Sequence, residues 1–477
     1  MNDFEKVKTT KLGGKLWLLI IVFGLVGQIA WSVENMYFSK FMLNEIAKNS
    51  DAKMYFNWFL IGFSAISATA ATLIGGALSD RLGKRKVFVS YGYIIWGIST
   101  MAFALIPTSG AGEHFGAIIF LVIVMDCIMS FIGAVANDAA LNAWLTDYSD
   151  TTNRGKLDTI IGMMPVLSTV LLVLLFDNYT NANKAEYNWQ TFFILAGVIP
   201  IVVGILGIFV LKDKKGLIPV KNDNYWKDVF YGFRKDVIHK NKFLYICLFG
   251  SMTAGASIQV YMGSLFTFVE YTLGIKDYIL PLGIAIVLAI VISITLSVFM
   301  DKFGKAKFYY PIIVVSIIGC IIAACTRFVL NNMTAKIIFL AVGAAMIMAT
   351  SLLMSGLFIG AFRDYIPKGK EGSFQGIRMF IFVCIPMMIG PGIAAGIGSI
   401  IGNIDSMAIY AVVGDATRAS LVPPPEIFWG AAIFAALTFI PAYFVKHNDH
   451  IIRAKLISER DAMLKQDSDL DVATEEK

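Results

Sequence analysis

A few carboxylates lie inside long apolar stretches of the sequence. Glu34 stands beside Asn35 in one stretch, and Asp126 and Asp138 share another. An ionised side chain near the centre of a bilayer costs roughly 2.5 to 3.5 kcal/mol on insertion scales, so each of these acids needs a compensating role. Carboxylates accept hydrogen bonds from hydroxyl groups, and burial disfavours their charged form. These acids are candidates for binding a hydroxylated solute or a proton, or for holding helices together by hydrogen bonds.

The polar and aromatic neighbours of these acids indicate which solute they would suit. Sugar sites combine individual hydrogen bonds to hydroxyl groups with an aromatic face that packs on the ring. We therefore predict a substrate-binding set of Trp31, Glu34, Asn35, Asn137, Asp138, Asn142, Gln259 and Tyr261. The predicted ion-coupling residues are Glu34, Asp138 and Asp126. Helix packing remains the alternative, especially for Tyr261, and anchoring at the membrane interface is the preferred explanation for Trp144.

Spacing separates the two acids of the second stretch. Asp126 and Asp138 are twelve residues apart, which corresponds to about 18 Å along a helix and a rotation of about 120°. We expect them not to line one small pocket as neighbours. The four histidines, His114, His239, His447 and His450, fall in predicted loops or at their edges, so any proton coupling is expected to depend on carboxylates.

Composition identifies the elements that must position these residues as membrane-spanning helices. Hydrophobic residues make up 57% of the 477-residue chain and charged residues 16%, and the mean hydropathy is +0.70. Stretches near the ~20 residues needed to cross a bilayer are predicted at 16–39, 55–78, 87–106, 115–140, 157–176, 190–211, 243–269, 278–300, 308–326, 336–360, 379–401 and 427–445. Only helices satisfy the backbone of such runs in lipid. The prediction is an all-α membrane protein with twelve spans in two pseudo-symmetric six-helix halves.

The distribution of basic residues predicts the orientation. With both termini in the cytoplasm, the inner segments hold 32 of the 40 Lys and Arg residues, as the positive-inside rule requires. The net charge of +6 then needs no nucleic-acid partner. The five cysteines fall in apolar stretches without metal-ligand spacing, and they are predicted to pack in the core.

Two internal matches support tandem duplication. In the first match, residues 75–86, with the sequence GGALSDRLGKRK, resemble residues 301–307, DKFGKAK. In the second match, Asp147-Tyr148 with Gly155 and Ile160 resembles Asp364-Tyr365 with Gly372 and Ile377. The offsets of 221 and 217 residues both relate loops at equivalent positions. The predicted units are an N-terminal half at 1–211, a basic linker at 212–242, a C-terminal half at 243–445 and a polar tail at 446–477. The linker is interpreted as a surface amphipathic helix or a solvated segment.

Residues 75–86 are predicted to form a basic hairpin whose glycines, Gly83 among them, permit a tight turn, and this hairpin carries a family resemblance. Gly76 to Lys86 resembles the loop between helices 2 and 3 of the major facilitator superfamily, with Lys84 in place of an arginine. The segments GQIAWSVENM at 27–36 and ANDAALNAWLTD at 136–147 are further similar to glycoside-pentoside-hexuronide cation symporters and sucrose carriers. This resemblance implies that Asp138 binds sugar hydroxyls. Melibiose-type members place cation-binding aspartates on helix 2, but residues 55–78 contain no acid.

The resulting functional prediction is a secondary transporter of the cell membrane that moves a sugar or glycoside by alternating access, with proton symport expected and sodium left open. The alternatives are a proton-driven drug or metabolite exporter and a non-transporting membrane sensor. No enzyme activity and no cofactor is expected. The expected partners are a small-molecule substrate and the lipid bilayer, and the protein is expected to be a monomer. Charged residues at inner helix ends are predicted to gate the protein: Asp80, Arg81, Arg85, Asp147, Arg154, Asp301, Asp364 and Arg378. The four aspartates of this set are expected to pair with arginines rather than to contact substrate, the candidate partners being Arg81, Arg154, Arg363 and Arg378.

Overall fold

The computed structural model describes residues 13–47, 50–107, 114–148, 154–180, 188–214, 230–275, 279–303, 305–366, 374–413 and 422–448. These residues form α-helices with short π- and 3₁₀-helical segments, and the described ranges contain no β-strand. The predicted all-α class is thereby confirmed.

The helices of the first half are long enough to cross a membrane or nearly so. We label them α1 Gly14–Ile46, α2 Lys53–Leu82, α3 Arg85–Leu105, α4 Phe115–Tyr148, α5 Arg154–Thr180 and α6 Trp189–Val210. Gly83 follows α2 with φ of 60°, a left-handed conformation that glycine adopts without strain. This residue makes the predicted tight turn of the basic hairpin.

The second half repeats this organisation. Its helices are α7 Lys242–Met262, α8 Ile279–Phe303, α9 Tyr309–Val329, α10 Met333–Tyr365, α11 Gly376–Ile401 and α12 Ile427–Asn448. Two short segments, Leu265–Thr267 and the π-helical Phe268–Thr272, follow α7 after a turn at residues 263–264. Lys305–Lys307, the second copy of the basic hairpin, forms a 3₁₀ turn between α8 and α9.

Length and hydropathy mark ten of the described helices as candidate membrane spans, and α5 and α8 contain the shorter apolar stretches Met163–Phe176 and Pro281–Ser297. The chain is therefore a multi-pass membrane protein, while the count of twelve spans and the orientation stay predictions. One predicted boundary is wrong: α1 continues to Ile46 instead of ending near residue 39. Lys40, which lies just beyond the predicted end of this span, is therefore inside a helix.

Close packing in the first half depends on small residues. A Cβ atom on Gly97 of α3 would lie 2.3 Å from the carbonyl oxygen of Gly197 on α6, so only glycine allows this approach. The two halves also touch directly. The Trp58 indole on α2 donates a hydrogen bond of 2.6 Å to the Met388 carbonyl on α11.

The linker between the halves is described at residues 212–214 and 230–242. A 3₁₀ turn, Tyr231–Phe233, precedes a short helix, Lys235–Lys240, and Phe233 packs against Phe380 of α11 with ring centroids 5.7 Å apart. Trp226 lies outside the described residues, as does the tail beyond residue 448. The surface helix of the linker therefore stays a prediction.

Candidate functional site

The two acids predicted to lead the site both lie in π-helical segments. Glu34 belongs to Val33–Phe38 in α1, and Asp138 belongs to Ala134–Leu141 in α4. A π-helical turn widens the helix and changes the direction of the side chains that follow, and such turns are frequent at functional sites. These segments decide where the two carboxylates point.

The Asp138 carboxylate, which is half-buried, lies at a junction of polar and aromatic groups. The Asn137 side-chain amide donates to Asp138 Oδ1 over 2.9 Å, and the Trp31 indole of α1 also faces this carboxylate as a hydrogen-bond donor. Trp31 packs edge-to-face on Trp96 of α3, with ring centroids 5.2 Å apart. The predicted residues Trp31, Asn137 and Asp138 thus come together.

Groups of α1 and α3 hold the Asn137 side chain in place. The Tyr93 hydroxyl lies 3.0 Å from Asn137 Oδ1 and 2.8 Å from the Phe23 carbonyl oxygen, and these two acceptors share its single hydrogen. Gly27 makes room for this arrangement, because a Cβ atom there would lie 2.2 Å from Asn137 Oδ1. Tyr93 and Gly27 therefore position the amide that contacts Asp138. No sequence motif singled out Tyr93.

The other two asparagines of the predicted set bond to their own helices. Asn35 Nδ2 donates to the Trp31 carbonyl over 2.9 Å, and Asn142 Nδ2 donates to the Asp138 carbonyl over 3.0 Å. Asn142 is exposed. Each side chain keeps an acceptor oxygen and one amide hydrogen for a solute.

Glu34 lies deeper than Asp138 and next to Asp126. Glu34 is 6% exposed and Asp126 is 2% exposed. The Ser130 hydroxyl of α4 lies 2.7 Å from Glu34 Oε1. Glu34 interacts electrostatically with both Asp126 and Asp138. Glu34 thus interacts with both acids of α4. This arrangement is consistent with the expectation that Asp126 and Asp138 do not line one small pocket as neighbours.

The second half contributes one charged group to this site. Arg378 of α11 interacts electrostatically with Asp138 of α4. Arg378 is also one of the predicted gating residues.

The two predicted substrate residues of α7 lie elsewhere. Gln259 lines a small cavity with Met54 and Asn57 of α2, next to Pro391 of α11. Tyr261 is buried and stacks on Phe428 of α12, with ring centroids 5.3 Å apart. The structure does not bring either residue into contact with Asp138.

Sequence analysis missed a buried ion pair between the halves. Lys40 Nζ of α1 lies 2.6 Å from Glu270 Oε2, and the side chains are 0% and 2% exposed. Glu270 lies in the π-helical segment Phe268–Thr272. No local sequence signal pointed to this pair. We call this end of the bundle the Lys40 end.

Further contacts close the Lys40 end. The Thr267 hydroxyl donates to Asn44 Oδ1 over 3.3 Å, and Tyr37 packs against Phe266 with ring centroids 5.3 Å apart. These contacts, like the ion pair, join α1 to the segment that follows α7. The halves are therefore sealed together at this end.

The opposite end of the bundle, which we call the Arg85 end, carries the described gating residues of the first half. Arg85 Nε lies 3.3 Å from Asp147 Oδ2, and Arg85 Nη1 donates to Ser79 Oγ over 2.6 Å. Arg85 is thus the described partner of Asp147, whereas the four arginines expected for that role did not include it. The side chains of Asp80, Arg81, Arg154, Asp301 and Asp364 fall outside those described.

Residues 212–214 fasten the helices at the Arg85 end. The Lys212 carbonyl accepts hydrogen bonds of 2.9 Å from the Trp144 indole and from the Tyr148 hydroxyl. Asp213 Oδ1 accepts a 2.7 Å hydrogen bond from the Lys86 backbone amide. Trp144 is 1% exposed, so the expected anchoring of this residue at the membrane interface is wrong. It is a buried connector.

An apolar cleft opens between the halves. Its volume is about 620 Å³, and α5, α8 and α10 line it. The lining includes Met163, Leu167, Ile290 and Leu353, together with the hydroxyl residues Ser293 and Ser297. Among the described residues no group of three or more His, Cys, Asp and Glu side chains could hold a metal ion.

Comparisons with known proteins identify relatives of the fold. A sequence model described as the Major Facilitator Superfamily matches residues 16–391. A bacterial homologue of the human lysosomal transporter Spinster, in an inward-facing and unoccupied conformation, superposes with a TM-score of 0.64 at 14% identity, covering 92% of this chain and 98% of that one. A comparison with curated protein sequences found no match.

Two further solved structures share the fold at low identity. A D-xylose-proton symporter superposes with a TM-score of 0.63 at 11% identity, covering 90% of this chain and 96% of that one. The nucleoside transporter NupG superposes with a TM-score of 0.61 at 13% identity, covering 90% and 98%. At these identities the likeness shows the fold alone.

Proposed function

The chain belongs to the major facilitator superfamily, and on that premise we propose that it is a secondary active transporter that moves a sugar or glycoside across the cell membrane by alternating access, in symport with a proton. The fold and its neighbours support transport in general. The choice of a sugar and a proton depends on the site in the first half.

The observation that carries the sugar proposal is the environment of Asp138. Its half-buried carboxylate combines with the Asn137 amide and the Trp31 indole, so acceptor, donor and aromatic surface lie together. Sugar recognition needs all three, because hydroxyl groups are bonded individually while the ring carbons pack on an aromatic face. Arg378 faces the same carboxylate from the second half, and a solute there would contact both halves.

Alternating access requires one end of the bundle to be closed while the other admits solute. The contacts at the Lys40 end close it, and the apolar cleft separates α5 from α8 and α10. We propose that the Lys40 end faces outward, as the distribution of basic residues predicts. The chain would then stand in an inward-facing conformation, ready to release solute.

Uptake by proteoliposomes tests the proposal. Purified protein is reconstituted, an inward proton gradient is imposed, and entry of labelled mono- and disaccharides is followed with and without a protonophore. We expect at least one sugar to enter only while the gradient lasts. A sodium gradient in place of the proton gradient tests the coupling ion.

Three results would contradict the proposal in different ways. Uptake driven by sodium alone would replace the proton as coupling ion. Expulsion of hydrophobic cations without sugar uptake would indicate an exporter, which the apolar lining of the cleft would suit. The absence of transport for every solute would favour a membrane sensor with the same fold.

A further inference from the structure

Ser130 of α4 has one hydroxyl hydrogen and two nearby acceptors. Its Oγ atom lies 2.7 Å from Glu34 Oε1 and 2.7 Å from the backbone carbonyl oxygen of Asp126. A hydroxyl donates only one hydrogen, so it serves one of these oxygens at a time when Glu34 is ionised. If Glu34 carries a proton, its O–H donates to Ser130, and Ser130 donates to the Asp126 carbonyl. Only with Glu34 protonated can both contacts of the Ser130 hydroxyl be hydrogen bonds at the same time.

The surroundings of Glu34 favour a bound proton. Glu34 is 94% buried and its Oε2 atom has no hydrogen-bond partner, and Asp126 Oδ1 has none either. The titratable groups that face Glu34 are Asp126, Asp138 and Cys127, all on α4. None of them is cationic. Two buried carboxylates without a cation resist ionising together.

Among the residues that the structure describes, the groups of the other helices around this site do not supply that cation to Glu34. From α2, the Ser64 hydroxyl faces Asp126. Tyr93 of α3 and Arg378 of α11 both face Asp138. The guanidinium charge of Arg378 is thus directed at the substrate carboxylate, while Glu34 remains among acids and hydroxyls.

Ser130 also occupies a sensitive place in α4. It lies four residues before the π-helical segment Ala134–Leu141, which carries Asp138. A serine hydroxyl that bonds to the carbonyl four residues earlier bends a helix slightly. The direction of the Ser130 hydrogen is therefore linked to the geometry of the segment that presents Asp138.

We propose that Ser130 is a positioning residue that couples proton binding on Glu34 to the substrate site at Asp138. When a hydronium ion gives its proton to Glu34, one hydronium O–H bond breaks, water is released and a new O–H bond forms on the carboxylate. This O–H then donates to Ser130, and the Ser130 hydrogen turns from Glu34 to the Asp126 carbonyl. Protonation also removes a negative charge that repels the Asp138 carboxylate, which favours the ionised form of Asp138 as an acceptor for solute hydroxyls. This inference rests on the proposed proton symport and assigns a residue to its coupling step.

Infrared difference spectroscopy tests the inference without any substrate. Purified full-length protein in liposomes is titrated between acid and alkaline pH, and the C=O stretch of protonated carboxyl groups is followed. We expect Ser130→Ala to shift one component of that band, because the hydrogen bond from Glu34 is lost. Ser67→Ala is the matched control. The hydroxyl of Ser67, on α2, donates over 2.7 Å to the carbonyl of Cys127, which lies on α4 as Ser130 does. This variant should leave the band in place.

Two further variants test whether the shifted component of the C=O band belongs to Glu34. Glu34→Gln should remove this component, and in the Glu34→Gln background Ser130→Ala should cause no shift. Ser130→Thr keeps a hydroxyl and should restore the wild-type band. An unchanged band in Ser130→Ala would overturn the proposal, as would a shift that persists without Glu34. Ser130→Ala removes no charge, so it remains informative if Glu34→Gln fails to fold.

A sodium titration separates the proton from a metal cation. We expect NaCl and choline chloride to leave the band equally intact, and its selective loss in NaCl would show that sodium occupies the site. Failure of sugar uptake with the Ser130-dependent band present would reject the proposed function and leave the proton site standing. Proton-driven uptake without that band would reject the inference alone.

Discussion

Lys40 Nζ and Glu270 Oε2 lie 2.6 Å apart in a fully buried ion pair that joins the two halves of the chain. Burying two charges costs much solvation, which their mutual attraction repays only while both are present. The pair therefore stabilises the closed Lys40 end and must separate if the halves part there. Its removal should change both stability and conformation.

Replacement of one partner tests this ion pair. Lys40→Met or Glu270→Gln leaves a single charge buried, and we expect each to destabilise the protein by about 3–5 kcal/mol. The double variant Lys40→Met, Glu270→Met should recover most of this loss because no charge remains. Thermal unfolding in detergent measures the effect. Additive losses in the double variant would show that the two residues do not act as a pair.

Gly27 allows the approach of Asn137 to α1. Gly27→Ala would place a Cβ atom 2.2 Å from Asn137 Oδ1 and 2.5 Å from the Tyr93 hydroxyl. We expect a loss of stability of about 1–3 kcal/mol from overpacking, together with weaker sugar uptake because Asn137 moves away from Asp138. Uptake assays and thermal unfolding measure the two effects.

A second glycine provides the matched control for Gly27. A Cβ atom on Gly62 of α2 would meet no atom within 4 Å, so Gly62→Ala should be neutral or stabilise the helix by about 0.5–1 kcal/mol. Equal effects of the two substitutions would contradict the role assigned to Gly27.

Asp138→Asn tests the substrate site. The variant keeps the shape of the side chain but removes the charge that strengthens its hydrogen bonds to solute hydroxyls. A hydrogen bond to a charged group contributes about 1.5–3 kcal/mol, so we expect sugar uptake at limiting concentration to fall about 10- to 100-fold. Asp51→Asn at an exposed turn is the control. Wild-type uptake by Asp138→Asn would remove Asp138 from the site.

Arg85 and Asp147 form the described ion pair of the Arg85 end, with side chains 10% and 17% exposed. Arg85→Met leaves Asp147 without this partner and Ser79 without its donor, and a loss of about 1–3 kcal/mol is expected. A double-mutant cycle with Asp147→Asn should give a coupling energy of about 0.5–3 kcal/mol. Values near zero would show that the two residues contribute independently.

Several features of the fold followed from local properties of the chain. Apolar stretches of about twenty residues must form helices in lipid, and Gly83 marked the turn after α2. The resemblance at Gly76 to Lys86 led to the family that the sequence model matches. Glu34, Asp126 and Asp138 were recognisable because a carboxylate in an apolar stretch is rare and costly.

Other features depended on contacts between distant segments. Lys40 and Glu270 are 230 positions apart, and nothing near either residue reveals its partner. Tyr93, Gly27 and Ser130 look like ordinary helix residues in sequence. They acquire a role only because α1, α3 and α4 pack side by side.

The sequence by itself determined that the chain is a helical membrane protein and singled out the acids within its apolar stretches, because hydropathy and the cost of buried charge act locally. The tertiary structure decided how those acids are grouped. The π-helical turns direct Glu34 towards Ser130 and Asp138 towards Asn137. Such turns lack a strong sequence signal, since packing against neighbouring helices compensates for their weaker backbone geometry.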